Sequence, residues 1–130
     1  MEQRGSILLL GDPEFQTGPW LKTAQKVSAE VAASAAPSHI KPSQHLDVVI
    51  TDLSFSAPLE EAFQALKEGN GERVLVVALP QNSPYTPRQL ADCGAHFIFS
   101  DAEPERVTSV LYEALRRVRL RPGTLEGVLS

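Results

Sequence analysis

The chain has 130 residues, of which 42% are hydrophobic and 22% charged, a composition typical of one soluble globular domain and not of a disordered chain or a disulfide scaffold. Its 12 basic and 16 acidic residues give a formal charge of −4, so no general basic field exists to attract nucleic acid or anionic lipid. The single cysteine, Cys93, excludes an internal disulfide and a cysteine-based zinc cluster.

The N-terminal third of the chain predicts a strand, a long helix and a short connection. Residues 6–10 predict a strand, and the apolar run from Ile7 to Leu10 is far too short for a signal-peptide core or for a membrane span of ~20 residues. From Pro19 an apolar stripe with helical spacing continues to Ala35, so one helix is expected over this stretch. Residues 36–46 contain two prolines and have room for only a brief edge strand at residues 39–41. We therefore expect strand 2 and helix 2 to be reduced. The short N-terminal apolar run indicates a cytoplasmic protein of bacterial type.

The rest of the chain alternates strands with helices. Continuous apolar runs predict strands at residues 47–51, 73–79 and 96–100. Helices are expected after Pro58, from Thr86 to Gly94, and from Asp101 onward, with Asp101 as the N-cap of the last helix. Because the apolar runs do not alternate with polar residues, both faces of each strand should be covered by helices. The predicted fold class is α/β, a doubly wound, parallel, five-stranded sheet with helices on both faces.

The last helical pattern stops at Pro122. We therefore predict one domain over residues 1–121, followed by a linker or the start of another domain over residues 122–130.

Two acidic residues follow predicted strands that a doubly wound order places side by side. Asp12 comes after the first strand and Asp52 after residues 47–51. Ligands of open α/β sheets bind beyond the carboxyl ends of the strands, where two carboxylates are able to hold Mg²⁺. Asp52 is then a candidate nucleophile toward a phosphoryl group, with the metal offsetting charge on the oxygens.

The segment around Asp52 resembles the phospho-acceptor strand of response-regulator receiver domains. Residues 47–53 are Asp-Val-Val-Ile-Thr-Asp-Leu, which matches the family pattern of an aspartate, three apolar residues, any residue, an aspartate and a leucine. Residues 6–15 resemble the first strand and loop of a receiver, and residues 93–99 resemble its glycine-alanine turn into the fifth strand. The resemblance implies the flavodoxin-like topology of receivers and a place in two-component signal transduction.

The acid pair that receivers carry after their first strand is incomplete. If Pro13 is aligned with the common proline of that loop, the pair falls on Leu10 and Gly11. If one residue is deleted instead, Asp12 is the only acid left. Either alignment weakens the Mg²⁺ site of Asp12 and Asp52 that the resemblance implies.

Other residues that the family uses are replaced. The Ser or Thr position after strand 4 falls on Ala78, and the aromatic switch position of strand 5 falls on Ile98. The lysine position falls on Asp101, with Ser100 as the one-residue alternative. An aspartate there repels a phosphoryl group on Asp52, because like charges disfavour each other. The chain therefore resembles a degenerate pseudo-receiver.

A pseudo-receiver is expected to act by binding proteins, without being an enzyme and without a cofactor. Receivers commonly dimerise through helix 4, strand 5 and helix 5, and we expect protein partners, including a second copy, on that face. The residues expected there are Arg88, Gln89, Phe97, Phe99, Val107, Tyr112 and Arg116.

Three alternatives stay open. In the first, the domain is a true phospho-receiver that takes a phosphoryl group on Asp52 from a histidine kinase, with Mg²⁺ as cofactor. In the second, Asp52 is a leftover acid that caps a neighbouring helix and Asp12 is an ordinary turn residue before Pro13. In the third, the chain is a small α/β enzyme, although the strand ends carry no pair of nucleophile and base.

The tail is similar to the opening of the PATAN domain, which accompanies receivers in some bacterial signalling proteins. The similarity covers only residues 123–130. It implies that this chain is the N-terminal module of a larger regulator with a fused C-terminal output domain.

Overall fold

The described residues form one layered α/β unit. The computed structural model describes residues 6–27, 30–36, 46–55, 58–67 and 74–119, with residues 67 and 114–119 described as backbone. The strands are β1 (Ser6–Leu10), β2 (Glu30–Ser34), β3 (Val48–Thr51), β4 (Val74–Leu79) and β5 (Phe97–Ser100). The helices are α1 (Pro13–Gln16), α2 (Pro19–Val27), α3 (Leu59–Lys67), α4 (Pro87–Cys93) and α5 (Thr108–Arg119). A 3₁₀ turn, Pro104–Val107, leads into α5.

The five strands pair in parallel in the order β2-β1-β3-β4-β5. This is the flavodoxin-like order, and it confirms the predicted fold class. The continuous apolar runs are explained by burial on both faces. Ile7 and Leu9 belong to the core cluster that α2 and α5 cover, and Leu8 and Leu10 belong to the cluster that α3 and α4 cover. The sheet therefore separates two helix layers, and its carboxyl edge is where a site is expected.

The long helix predicted from Pro19 to Ala35 is wrong in its second half. The helix α2 ends at Val27, and Glu30–Ser34 forms β2, which pairs with β1 from Ser6↔Glu30 to Leu10↔Ser34. Because β2 is an edge strand with an exposed outer face, its sequence carries two alanines and no continuous run of large apolar residues. Strand 2 is consequently full-length and not reduced. The strand predicted at residues 39–41 and the helix 2 region lie outside the described residues.

Asp101 does not cap the last helix, contrary to prediction. The N-cap position belongs to Glu103, ahead of the 3₁₀ turn that begins at Pro104, and no side chain caps it. Asp101 instead continues the pairing of β5 with β4, since its backbone N–H donates to the Leu79 carbonyl at 3.1 Å. Its own carbonyl accepts the indole N–H of Trp20 at 3.1 Å.

The predicted start of α4 is confirmed, with Thr86 and Gln89 forming a capping box.

Asp47, the first aspartate of the segment before Asp52, has a structural position at the amino ends of the strands. It is 1% exposed, and its Oδ2 accepts the backbone N–H of Ser6 at 2.9 Å. Its backbone N–H donates to the Ser6 carbonyl at 3.0 Å, and its carbonyl accepts the Val74 N–H at 2.9 Å. Asp47 thus connects the first residues of β1 and β4 through the start of β3.

We expect Asp47→Ala to lower the free energy of unfolding by about 1–3 kcal/mol, because the part-buried N–H of Ser6 loses its acceptor. Asp47→Asn keeps an acceptor oxygen at this place and should cost less. Urea denaturation of both variants measures the difference. A loss of less than about 0.5 kcal/mol in the alanine variant, the range of ordinary surface substitutions, would contradict the structural role of Asp47.

Candidate functional site

The candidate site lies at the carboxyl ends of β1, β3 and β4. Asp52 follows β3 directly, and its side chain is half-buried. The register Leu10↔Thr51 brings Gly11 beside Asp52 on one side. The register Thr51↔Val77 brings Ala78 beside Asp52 on the other. The sheet therefore assembles the positions that the receiver resemblance assigns to phosphoryl chemistry.

Ser54 joins the loops after β1 and β3. Its hydroxyl donates to Asp52 Oδ1 at 2.5 Å and accepts the backbone N–H of Asp12 at 2.8 Å. Its backbone N–H also donates to Asp52 Oδ1, at 3.1 Å. Leu53, between Asp52 and Ser54, has a φ of 67°, in the left-handed region that residues other than glycine seldom adopt. This turn folds Ser54 back onto Asp52, so one carboxylate oxygen already has two donors.

Asp12 is engaged in a helix cap. Its Oδ1 accepts the backbone N–H of Phe15 at 2.9 Å, and Pro13 occupies the first turn of α1. An N-cap aspartate satisfies a backbone donor that the helix leaves unpaired. The alternative in which Asp12 is a local turn residue thus has direct structural support. Within the described residues, Asp52 accepts hydrogen bonds from Ser54 of its own loop, and the alternative in which it caps a neighbouring helix stays untested.

Gly11 leaves no room for a side chain next to Asp52. A Cβ atom at Gly11 would lie 2.6 Å from Asp52 Oδ1, 2.8 Å from Phe15 Cδ2 and 2.9 Å from Ser54 Oγ. Leu10, the other position of the receiver acid pair, is fully buried in the core. The Phe15 ring borders the space above Gly11, and its centroid lies 6.3 Å from that of the Trp20 ring. Among the described residues, no group of three His, Cys, Asp or Glu side chains is placed to hold a metal ion.

The pKa of Asp52 is raised above its usual value of 3.8, chiefly because partial burial disfavours the ionised carboxylate. The negative charge of Asp12 raises this pKa further, and the hydrogen bonds from Ser54 oppose the shift. A carboxyl group with a raised pKa in the folded state stabilises the fold most when protonated. This contribution is complete below pH 3.8 and is lost as the pH rises through the folded pKa. Ionised Asp52 therefore lowers stability at neutral pH.

We expect Asp52→Asn to raise the free energy of unfolding at pH 7 by about 0.5 kcal/mol, because the amide carries no charge and still offers Ser54 an acceptor oxygen. The gain over the wild type should shrink toward pH 3, where Asp52 is itself protonated. Thermal melts across this pH range measure it, and Glu14→Gln, an exposed acid on α1, controls for the change in net charge. A gain that is independent of pH would show that burial of the charge is not its cause.

The other positions that the resemblance assigns to receiver chemistry carry two apolar residues and one acid without a cationic partner among the described residues. Ala78 is fully buried in the core cluster under α2 and α5, while Ile98 is half-buried on the other face of the sheet. The Asp101 carboxylate makes no hydrogen bond or ion pair with the described residues. No hydroxyl stands at Ala78, and an acid occupies the lysine position.

Part of the predicted interaction face is buried. Val107 is 0% exposed and belongs to the core, so it is unable to present its side chain to a partner, and its assignment to the face is wrong. The 3₁₀ turn before α5 directs Val107 onto the sheet. Phe97 and Phe99 are half-buried and pack against the same cluster.

The exposed part of this face is polar apart from one ring. Tyr112 on α5 is 55% exposed, and Arg88 on α4 is exposed. Gln89 is exposed as well, but its Oε1 accepts the Thr86 N–H at 2.8 Å. The side chain of Arg116 lies outside the described residues.

Sequence reasoning found Asp12, Asp52 and Ala78 but assigned no role to Ser54 and no steric role to Gly11. The signal for Ser54 was its spacing. A serine two residues after a strand-end aspartate is able to form the side-chain turn that the structure contains. Gly11 was noted as an acid-pair position, but only the coordinates show that Asp52, Phe15 and Ser54 converge on it.

No family model matches this chain, and no curated protein matches it significantly. Among solved structures, it is similar to the N-terminal domain of an uncharacterized protein from Wolinella succinogenes, with a TM-score of 0.66 and 20% sequence identity. The alignment covers 91% of this chain and 98% of that domain. The similarity shows that both share the α/β fold. Within the described residues, every helix is too short or too polar to cross a bilayer.

Proposed function

We propose that this chain is a receiver-like signal-transduction domain that binds protein partners without phosphorylation of Asp52, in the cytoplasm of a bacterium. In this proposal it has no catalytic activity and needs no cofactor. Its fold is compatible with a receiver-like domain, as its strand order and helix layers are those of the flavodoxin-like class. A fused output domain after residue 130 belongs to the same proposal.

The observation that carries the proposal is that the positions around Asp52 lack the second acid, the hydroxyl and the cation that receivers use in phosphoryl chemistry. Gly11 has no space for a second acid, and the Asp12 carboxylate is held by the Phe15 N–H. Ala78 offers no hydroxyl to a phosphoryl oxygen, and Asp101 has the wrong charge to pair with one. A phosphoryl group on Asp52 would thus lack the lysine ammonium and the strand-4 hydroxyl that hold the modified state in receivers, and Ser54 is the donor that the described residues place on Asp52.

A true phospho-receiver is the second candidate, favoured by the half-exposed position of Asp52 at the carboxyl edge of the sheet. In that case an Asp52 oxygen attacks the phosphorus of a phosphohistidine, the bond from phosphorus to the histidine nitrogen breaks, and an acyl phosphate forms. Asp12 and Asp52 are the carboxylates available to Mg²⁺. If the attacking oxygen is Oδ1, its hydrogen bond with the Ser54 hydroxyl would have to break first.

Titration with Mg²⁺ followed by beryllofluoride, which mimics a phosphoryl group, separates the two candidates. We expect the amide NMR signals of Gly11, Asp52 and Ala78 to stay within about 0.05 ppm of their starting positions up to roughly 10 mM Mg²⁺. Dedicated divalent-cation sites would be occupied at this concentration. Asp52→Asn is the control for ionic-strength effects. Saturable shifts that the variant lacks would establish the phospho-receiver and overturn the proposal.

Homodimerisation through α4, β5 and α5 is the partner mode that the receiver resemblance implies. Of the residues predicted on this face, Arg88, Gln89 and Tyr112 are exposed in the described part of the chain. Light scattering at high protein concentration should give the mass of two copies, and Tyr112→Ser should return it to one. A monomeric mass for the wild type would leave binding to other proteins as the proposed function.

A further inference from the structure

A groove of about 480 Å³ lies between α3 and α4, on the sheet face opposite α2 and α5. Its size falls within the range of ligand sites, about 300–1,000 Å³. None of the residues around Asp52 lines it, and neither do Arg88 and Tyr112 of the proposed dimer face. Gln89 lines the groove and also belongs to the predicted dimer face, so the groove is separate from the Asp52 site and adjoins the dimer face along α4.

The apolar part of the groove rests on the core. Leu59 at the start of α3, Tyr85 before α4 and Cys93 at the end of α4 line it, and all three are half-buried against the cluster under these helices. The capping box of Thr86 and Gln89 fixes the beginning of α4 beside Tyr85. The surface presented to a ligand is thus preformed, which lowers the entropic cost of binding.

Two carboxylates without partners flank this apolar surface. Glu60 on α3 and Asp92 on α4 line the groove and are exposed, and neither makes a hydrogen bond or ion pair with the described residues. Asp92 lies in the last turn of α4, where the helix dipole disfavours an acid, and that turn has no basic residue. Among the described residues that line the groove there is no lysine or arginine. Its charge is complementary to a cation.

We propose that this groove binds a segment of a partner protein in which an apolar side chain is flanked by lysine or arginine residues. The apolar side chain packs between Leu59 and Cys93, and the flanking cations pair with Glu60 and Asp92. The Tyr85 ring provides a further face for a guanidinium group. The inference rests on the proposed function, since it assigns the interaction module its partner surface and the chemistry of the partner.

The test uses NMR of the full ¹⁵N-labelled chain with three capped nonapeptides of glycine and serine. The first has a central leucine flanked by two arginines on each side, the second has glutamates in place of the arginines, and the third has serine in place of the leucine. We expect saturable shifts for the first peptide alone, centred on Leu59, Tyr85 and Cys93, with a Kd of about 1 mM or below. Equal binding of the glutamate peptide, or no saturable shift with the arginine peptide, would overturn the proposal.

Paired variants test the two carboxylates. Glu60→Gln with Asp92→Asn should weaken binding by about three- to tenfold, the effect of losing two exposed ion pairs. Glu61→Gln with Glu105→Gln removes the same charge from exposed acids outside the groove and should change the Kd by less than about twofold. If both pairs weaken binding equally, the attraction is a general effect of net charge and the groove is not the site.

Cys93, the only cysteine of the chain, gives an independent measure of occupancy. The arginine peptide at saturation should slow the alkylation of Cys93 by iodoacetamide by at least about threefold, whereas the glutamate peptide should not. Shifts centred on Arg88 and Tyr112 would overturn the groove and leave an interaction module that uses another face. Saturable beryllofluoride binding at Asp52 would instead overturn the proposed function, whatever the groove binds.

Discussion

Phe63→Ala is expected to lower the free energy of unfolding by about 3–5 kcal/mol, the largest loss predicted for a single change in this domain. Phe63 is 1% exposed and is the largest of the fully buried side chains. It anchors α3 on the face of the sheet where Leu8, Leu10 and Val49 lie. Removing the ring leaves a cavity that the four-residue strand β3 is poorly able to fill by moving, because β1 and β4 hold it on both sides.

Equilibrium denaturation in urea measures this loss. Gln64→Ala is the matched control, since Gln64 is exposed on the same helix and its replacement should change stability by less than about 0.5 kcal/mol. A loss below about 2 kcal/mol for Phe63→Ala would mean that α3 is not packed on the sheet as described, and the groove between α3 and α4 would lose its structural basis.

Strands in the middle of the sheet were predictable from the sequence. Their residues are buried on both faces, so β1, β3 and β4 each leave a continuous apolar run in the chain. The edge strand β2 was not predictable in this way. Its Val31 and two alanines also fit a helical stripe, and only pairing with β1 decides between the two structures. Tertiary contacts, not local pattern, determine Glu30–Ser34.

The start of α5 was missed for a related reason. Asp101 and Pro104 are both common near the beginning of helices, and the sequence gives no means to rank them. In the structure the backbone N–H of Asp101 donates to the Leu79 carbonyl, and the Asp101 carbonyl accepts the indole N–H of Trp20. Asp101 therefore continues the sheet, and the helical turn begins at Pro104. Trp20 is 81 positions away in the chain, which is beyond any local signal.

The candidate site was predictable in position but not in chemistry. The strand-end rule placed Asp12 and Asp52 at the same edge, and the structure brings them close enough for the charge of Asp12 to raise the pKa of Asp52. The sequence does not reveal which hydrogen bonds the carboxylate oxygens of Asp12 and Asp52 accept. Asp12 serves the α1 cap and Asp52 serves the Ser54 turn, and these local contacts compete with metal binding.

Gly11→Asp, which places an acid at the position that the resemblance aligns with the receiver acid pair, is expected to lower the free energy of unfolding by about 2–4 kcal/mol. A Cβ at this position meets Asp52 Oδ1, Phe15 Cδ2 and Ser54 Oγ, all at less than 3.0 Å, so the loop or the ring must move. The added carboxylate also stands beside an aspartate whose pKa is already raised. Steric and electrostatic costs therefore act in the same direction.

Two comparisons separate these costs and test whether the edge of the sheet is closed to metal. Gly11→Ala adds the Cβ without the charge and should lose about 1–3 kcal/mol. Combining it with Asp52→Ala should recover part of that loss, because the nearest of the three contacts disappears. If Mg²⁺ at about 10 mM restored the stability of Gly11→Asp, two carboxylates would be holding the ion, since a ligand that binds only the folded state stabilises it. Rescue would show that one substitution gives this edge of the sheet a two-carboxylate cation site, whereas the expected absence of rescue is consistent with the hydrogen bonds of Asp12 to α1 and of Asp52 to Ser54 competing with the ion.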